Sequence, residues 1–189
     1  MNSTAFSRTE VVTPPGRYTS AAIGLHWLIA ALIGVALVMG WVMTDMAISP
    51  QKLKLYNWHK WVGITVLWLA AVRILWRVTH RPPAMVTMPA WQRIAAHALH
   101  GVLYLLMLAQ PLSGWIFSNA SGYPIVYLRL LPLPNLVGKN KQLADQWQEI
   151  HETLGWLLVA VLVVHALAAL KHHLIDKDDT LRRMLPERK

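Results

Sequence analysis

His151 and His165 stand fourteen residues apart in the segment WQEIHETLGWLLVAVLVVHALAALKHH. On an α-helix, fourteen steps of ~100° fall about 40° short of four full turns, so both imidazoles leave nearly one face, roughly 21 Å apart along the axis. A hydrocarbon slab ~30 Å thick would hold one of them near each surface. Imidazole is an acid–base group and a metal ligand. Ionisable groups inside a membrane are costly enough to mark function. The question is what chemistry needs two imidazoles stacked across a bilayer, and which of the chain's nine histidines could serve as their partners.

The elements that must position them are apolar. Of 189 residues, 55% are hydrophobic and 14% charged, with a mean hydropathy of +0.36; soluble domains carry about 25% charged residues. Four segments have the ~20 residues a spanning helix needs. They are the uncharged run Tyr18 to Thr44, Trp58 to Trp76, a stretch within Ile94 to Leu128 that Pro111 is expected to kink, and Ile150 to Leu170. The expected fold is an all-α membrane protein, a bundle of four transmembrane helices, because three of these runs are too long and charge-free for a soluble bundle. Residues 1–17 read as an N-terminal tail and not a cleaved signal. Residues 18–172 read as the membrane domain and 173–189 as a C-terminal tail. The connection Ser118 to Trp147 reads as an outward loop whose end, from about Lys139, forms a short interfacial helix.

Lys and Arg number 18 against 9 Asp and Glu, a net charge of +9. In a soluble chain that excess would suggest nucleic acid. Here the cations flank apolar runs, so they read as topology signals, with membrane lipid and no nucleic acid as partner. Twelve of the 18 lie at the termini and the second connection, which places both termini in the cytoplasm under the positive-inside rule. Eight tryptophans, from Trp41 to Trp156, fall near span ends, where indoles favour the interface. The absence of cysteine excludes disulfides, iron–sulfur clusters, thiolate ligation and covalent haem attachment.

Orientation sorts the histidines by depth. On the outer side only His59 and His151 are available. On the inner side His26 and His165 lie at similar depth, and His97 and His100 compete with them. His80, His172 and His173 lie beyond the hydrocarbon. Two facing imidazoles per level, on different helices, suit the axial positions of a six-coordinate haem b. A small residue follows each preferred histidine by four positions (Ala30, Gly63, Gly155, Ala169), though Gly101 follows His97 in the same way. Zinc would want carboxylates or thiolates among its ligands. A proton relay would enlist buried acids, and none occurs within the spans.

The segments RYTSAAIGLHWLIA, NWHKWVGITVLWLAAVRILWR, AHALHGVLYLLMLAQPLSGW and WQEIHETLGWLLVAVLVVHALAALKHHLIDKDDTLRRMLP resemble the bacterial cytochrome b561 family of small di-haem membrane cytochromes, over most of Arg17 to Pro186. The resemblance implies two haem b groups, His26 and His165 holding the inner iron and His59 and His151 the outer one. That resolves the inner tie against His97 and His100, which remain candidates for packing or for bonding a propionate. It also implies a multi-pass protein of the bacterial inner membrane that passes electrons between a periplasmic donor, superoxide among them, and the ubiquinone pool. Lys52, Lys54, Lys60, Lys139 and Lys141 would attract such an anion or pair with propionates, and His172 would bond a quinone carbonyl or move its proton. Two other readings are a haem b anchor subunit for a partner dehydrogenase or periplasmic redox protein, and a non-redox channel or transporter with structural histidines.

Overall fold

The computed structural model describes residues 16–186, so the expected N-terminal tail lies, apart from Gly16 and Arg17, outside the described residues. Four helices are long and apolar enough to cross a membrane: α1 Ser20–Asp45, α2 Pro50–Thr79, α3 Ala90–Ala120 and α4 Lys141–Lys171. Side-chain caps set most of their starts. Thr19, Ser49 and Asn140 accept the backbone N–H of Ala22, Lys52 and Leu143 at 3.3, 3.2 and 3.0 Å, and Pro50 occupies the first turn of α2, where its missing N–H costs nothing. Caps extend α2 and α4 well beyond their apolar runs. The residues from Lys141 are the first turns of α4 itself and not a separate interfacial helix.

Backbone packing runs α1 on α2, α2 on α3 and α3 on α4. The buried cluster joins Ile29 and Ile33 of α1, Val66 and Ala70 of α2, Leu103, Leu106 and Met107 of α3, and Leu158 of α4. Apolar burial drives little association in lipid, so close approach decides the interfaces, and Ala70, with no exposed surface, is the small residue that permits it here. Side chains bridge α1 to α4: Trp41 stacks on Trp156 with ring centroids 6.0 Å apart. Pro111 sits inside α3.

The outward loop holds a two-stranded hairpin, β1 Val126–Tyr127 and β2 Leu131–Pro132, which the sequence did not announce. Its turn places Leu128 and Arg129 at φ 51° and 62°, a region non-glycine residues occupy at a cost. Bonds to α2 hold it there. The Trp61 indole N–H donates to the Val126 carbonyl at 2.9 Å, and the Thr65 and Tyr127 hydroxyls meet at 2.9 Å.

Both ends of the described chain meet at the opposite pole. Beyond α4 the helix widens into a π turn, His172–Asp176, that closes on Lys177 at φ 54°. A 3-10 turn, Arg182–Met184, then folds back onto the start of α1. There the Arg183 Nε donates to the Gly16 carbonyl at 3.1 Å, the Trp27 indole donates to the Met184 carbonyl at 2.7 Å, and Arg17 donates to the Leu185 carbonyl.

Asp178 organises this return. Its carboxylate takes the Thr180 N–H at 2.8 Å and stands 2.6 Å from His172 Nδ1. Partial burial alone would raise its pKa, but the bonds from Thr180 and the contact with His172 outweigh that and hold the carboxyl below its ordinary value. A carboxyl depressed by folding stabilises above its unfolded pKa and ceases to do so as pH falls through the lowered one. Amide exchange across residues 177–186 is therefore expected to accelerate as pH drops below about 4, ahead of any change in α1–α4. Asp178→Asn should flatten that acid dependence, and an unchanged profile would show that Asp178 does not hold the turn.

Candidate functional site

At the outer level His59 of α2 faces His151 of α4, with ring centroids 6.1 Å apart and planes at 85°. His59 Nδ1 donates to the Ala36 carbonyl of α1 at 3.0 Å. His151 Nδ1 donates to the Gln110 carbonyl of α3 at 3.1 Å, with the Ser113 hydroxyl 2.9 Å away, while that hydroxyl donates to the same carbonyl at 2.7 Å. A carbonyl only accepts, so the proton sits on Nδ1 in both rings and Nε2 carries the lone pair. A donated Nδ1–H fixes ring orientation and tautomer, as it does for metal-bound histidines in general. The Gln110 amide nitrogen lies 3.4 Å from His151 Nε2, a long contact onto that lone pair, and Gln110 Oε1 is buried without a partner.

At the inner level His26 of α1 faces His165 of α4, again with centroids 6.1 Å apart, planes at 66°. Among the described residues, neither ring makes a hydrogen bond. His100 of α3 stands 5.4 Å from His165, its Nδ1 donating to the Ala96 carbonyl of its own helix at 2.6 Å. Three helices therefore bring three imidazoles to this level, while His97 joins no ring pair. His80 stacks flat on Trp76, centroids 3.8 Å apart, at the end of α2.

The donor set fits haem iron. A first-row metal bonds an imidazole nitrogen at about 2 Å, so one ion shared by two rings sets their centroids about 6 Å apart. Edge-to-face ring pairs span the same range. What separates the cases is the fixed Nδ1 tautomer of the outer pair, which leaves both lone pairs on Nε2. Space is also reserved. A Cβ added at Gly114 would lie 2.8 Å from His151 Cε1 and 3.1 Å from Nδ1, so α3 approaches this ring only because residue 114 lacks a side chain. Gly63 faces open space, whereas a Cβ at Gly155 would press on Gln110 Nε2 at 3.3 Å. Of the two glycines in the four-residue pattern, one thus lies beside room and the other beside a neighbouring helix.

His172 is half-buried at the π turn. With Nδ1 on Asp178, its Nε2 is the nitrogen left for a ligand. His172, Asp176 and Asp178 place donor atoms within 4.8 Å of one another, but Asp176 is already paired with Lys171 at 2.6 Å. The five outer lysines divide by role. Lys52 donates to the Met46 carbonyl at 2.7 Å, Lys60 is half-buried with its ammonium 3.5 Å from the Ser118 hydroxyl, and Lys139 packs over Gly122. Lys54 and Lys141 are exposed.

The fold and these paired imidazoles define a four-helix membrane bundle built around facing histidines. The family profile of prokaryotic cytochrome b561 matches residues 17–187. Cytochrome b561 homolog 2 of Escherichia coli is 37% identical over 175 residues, covering 90% of this chain and 92% of that protein. A protein named probable superoxide oxidase CybB in Yersinia pestis is 31% identical, with 92% and 98% covered, and cytochrome b562 of Cereibacter sphaeroides is 30% identical over 183 residues. The chain belongs to the prokaryotic cytochrome b561 family. It is an electron-transfer cytochrome of the bacterial inner membrane. Membership implies b-type haem.

Sequence reasoning missed Ala36, Gln110, Ser113 and Gly114. The available signal was the stretch QPLSG, polar and glycine-containing in the middle of a span. Gly114→Ala is expected to displace the His151 ring and cost most of one haem equivalent while the four helices stay folded. Pyridine haemochrome content alongside circular dichroism checks this, and full haem content in the variant would mean that the ring has somewhere else to go.

Proposed function

We propose that His59 and His151 hold an outer b-type haem, that His26 and His165 hold an inner one, and that the chain moves electrons from a periplasmic donor, superoxide being the candidate, to ubiquinone. The observation that carries this reading is the repeated geometry: two imidazole pairs on different helices, each 6.1 Å apart, at the two depths that one face of α4 supplies. Two bis-histidine haems, when bound, supply one-electron carriers with no open iron position. Two superoxide ions would yield two O₂ and, through the carriers, two electrons; ubiquinone takes these with two protons to become ubiquinol.

The chain's own residues bias this traffic. Lys54, Lys60 and Lys141 leave positive charge at the outer end, which favours the approach of an anion. His172, its Nδ1 anchored by Asp178, would present Nε2 to a quinone oxygen on the inner side and deliver a proton there. The outer ligands donate Nδ1–H to carbonyls, which makes them stronger donors and favours ferric iron. The inner rings lack such bonds and lie near Arg73, whose positive charge favours the reduced state. The inner couple is therefore expected at the higher potential, which sends electrons inward. The name of the Yersinia relative supports superoxide as donor.

Haem counting tests the ligands. His151→Ala should lose mainly the outer haem and His165→Ala mainly the inner one, and the two variants then assign the two couples in a redox titration. Equal loss of both haems from either variant would indicate collapse of the bundle. A lower-potential inner couple would reverse the proposed direction. Purified chain supplied with superoxide should reduce ubiquinone unaided, and His172→Gln should slow that step at least tenfold, the lower end of general acid–base contributions of about 10²–10⁴-fold being discounted for exposure. If the lone chain fails to reduce quinone yet holds both haems, the anchor-subunit reading replaces this one.

A further inference from the structure

At the inner pole a cavity of about 290 Å³ opens between the start of α1, the end of α2 and the flank of α3. Arg17, Arg73, Arg77 and Arg81 line it, and Trp76 and Tyr104 form its aromatic walls; among the described residues no aspartate or glutamate does. Arg73 and Arg77 are four residues apart on one helix, where like charges repel. Arg73 gives one bond to the Ala22 carbonyl at 2.9 Å, and Arg77 lies 5.9 Å over the Tyr104 ring. Among the described residues, Arg73, Arg77 and Arg81 form no ion pair with a carboxylate. The negative end of the α2 dipole favours one cation in its last turn, where Arg77 sits. It does not account for several converging on one hollow.

Guanidinium forks gathered around one hollow match an oxyanion, and phosphate best of all. Depth and access name its source. The cavity lies where α1 begins and α2 ends, at the inner ends of these spans, and its lining includes Gly16, Arg81, Pro82 and Pro83. Its lining stops at Ala22 and Tyr104 and includes none of His26, His100 and His165. Trp76 braces the wall, its indole N–H donating to the Thr19 hydroxyl at 3.1 Å and its ring stacked on His80. We propose that this cavity is a binding site for the phosphate of an anionic phospholipid of the cytoplasmic leaflet, clamping the inner ends of α1, α2 and α3 together. Basic hollows between helices on that side of a membrane are suited to such headgroups. The binding does not rest on the haem assignment.

The test uses the full chain in nanodiscs of mixed phosphatidylcholine and phosphatidylglycerol, with retained lipid read by native mass spectrometry after transfer to detergent. The expected result is retention of phosphatidylglycerol over phosphatidylcholine by the wild-type chain and by His165→Ala. Arg77→Gln/Arg81→Gln should lower that preference about tenfold or more, since each basic residue near an anionic surface adds attraction. Arg81→Gln alone, beyond the end of α2, gives the same direction without disturbing a helix. Arg182→Gln, an exposed cation outside the cavity, should keep the preference. Equal retention of the two lipids by wild type would overturn the proposal. So would loss in His165→Ala with retention in the arginine variants, which would assign the anion to a haem propionate. Displacement of phosphatidylglycerol by millimolar inorganic phosphate would assign the site to free phosphate instead of lipid.

Discussion

An imidazole has two nitrogens, and a helix bundle in lipid can satisfy both only by surrounding the ring with polar groups. This bundle satisfies one. At the outer level the chain donates each Nδ1–H to a backbone carbonyl of a neighbouring helix and leaves Nε2 as the lone-pair nitrogen of two rings whose centroids lie 6.1 Å apart, with only a long 3.4 Å contact from the Gln110 amide onto that of His151. A buried acceptor without a donor costs about 1–3 kcal/mol, so the arrangement makes energetic sense when something electrophilic lies between the rings. Much else follows from keeping that gap. The Gln110 carbonyl has to accept from α4 as well as from Ser113. Residue 114 must lack a side chain. The α1–α4 seam is bridged by facing rings and the Trp41–Trp156 stack, with backbone packing left to the other seams.

Depth and periodicity make the architecture legible in the sequence. Fourteen residues on one helix gave two levels, and the charge count gave one partner for the outer level. Hydropathy located four spans but not their ends. Ser49 and Asn140 start α2 and α4 well outside the apolar runs, because capping a helix start is a local hydrogen-bond matter that hydropathy does not register. The hairpin at Val126–Pro132 was invisible for a related reason. Its turn uses Leu128 and Arg129 at positive φ instead of glycine or asparagine, and its strands are held by Trp61 and Thr65 from a distant part of the chain. Trp61 and Trp76, expected as generic interfacial anchors, turn out to be specific donors, as does Trp27: each bonds a distant segment.

The inner level shows where spacing runs out. His100 comes closer to His165 than His26 does, so distance alone ranks the wrong candidate first if the family resemblance is right. The difference lies in what each ring can reach. His100 spends its Nδ1 on a carbonyl of its own helix, four residues back, an option open to any helical histidine at that register. Such a bond carries no information about a partner across the bundle. The Nδ1 bonds of His59 and His151 cross between helices and therefore do. No periodicity rule predicts them, because the acceptors belong to α1 and α3.

The two poles are finished by different means. The outer one relies on crossing hydrogen bonds among all four helices and on a loop folded down over α2. The inner one relies on charge and on the chain's return: the π turn, the Asp178 carboxylate and the 3-10 turn bring Arg183 against Gly16, so that the segment leaving α4 closes onto the segment entering α1. A tail that began as a run of topology cations thereby acquires a structural task. It holds together the ends of α1 and α4, the two helices that present His26 and His165 to each other across a seam with little backbone packing. The inner imidazoles lack the carbonyl bonds that orient the outer pair, so their spacing depends on this closure more than on their own hydrogen bonds.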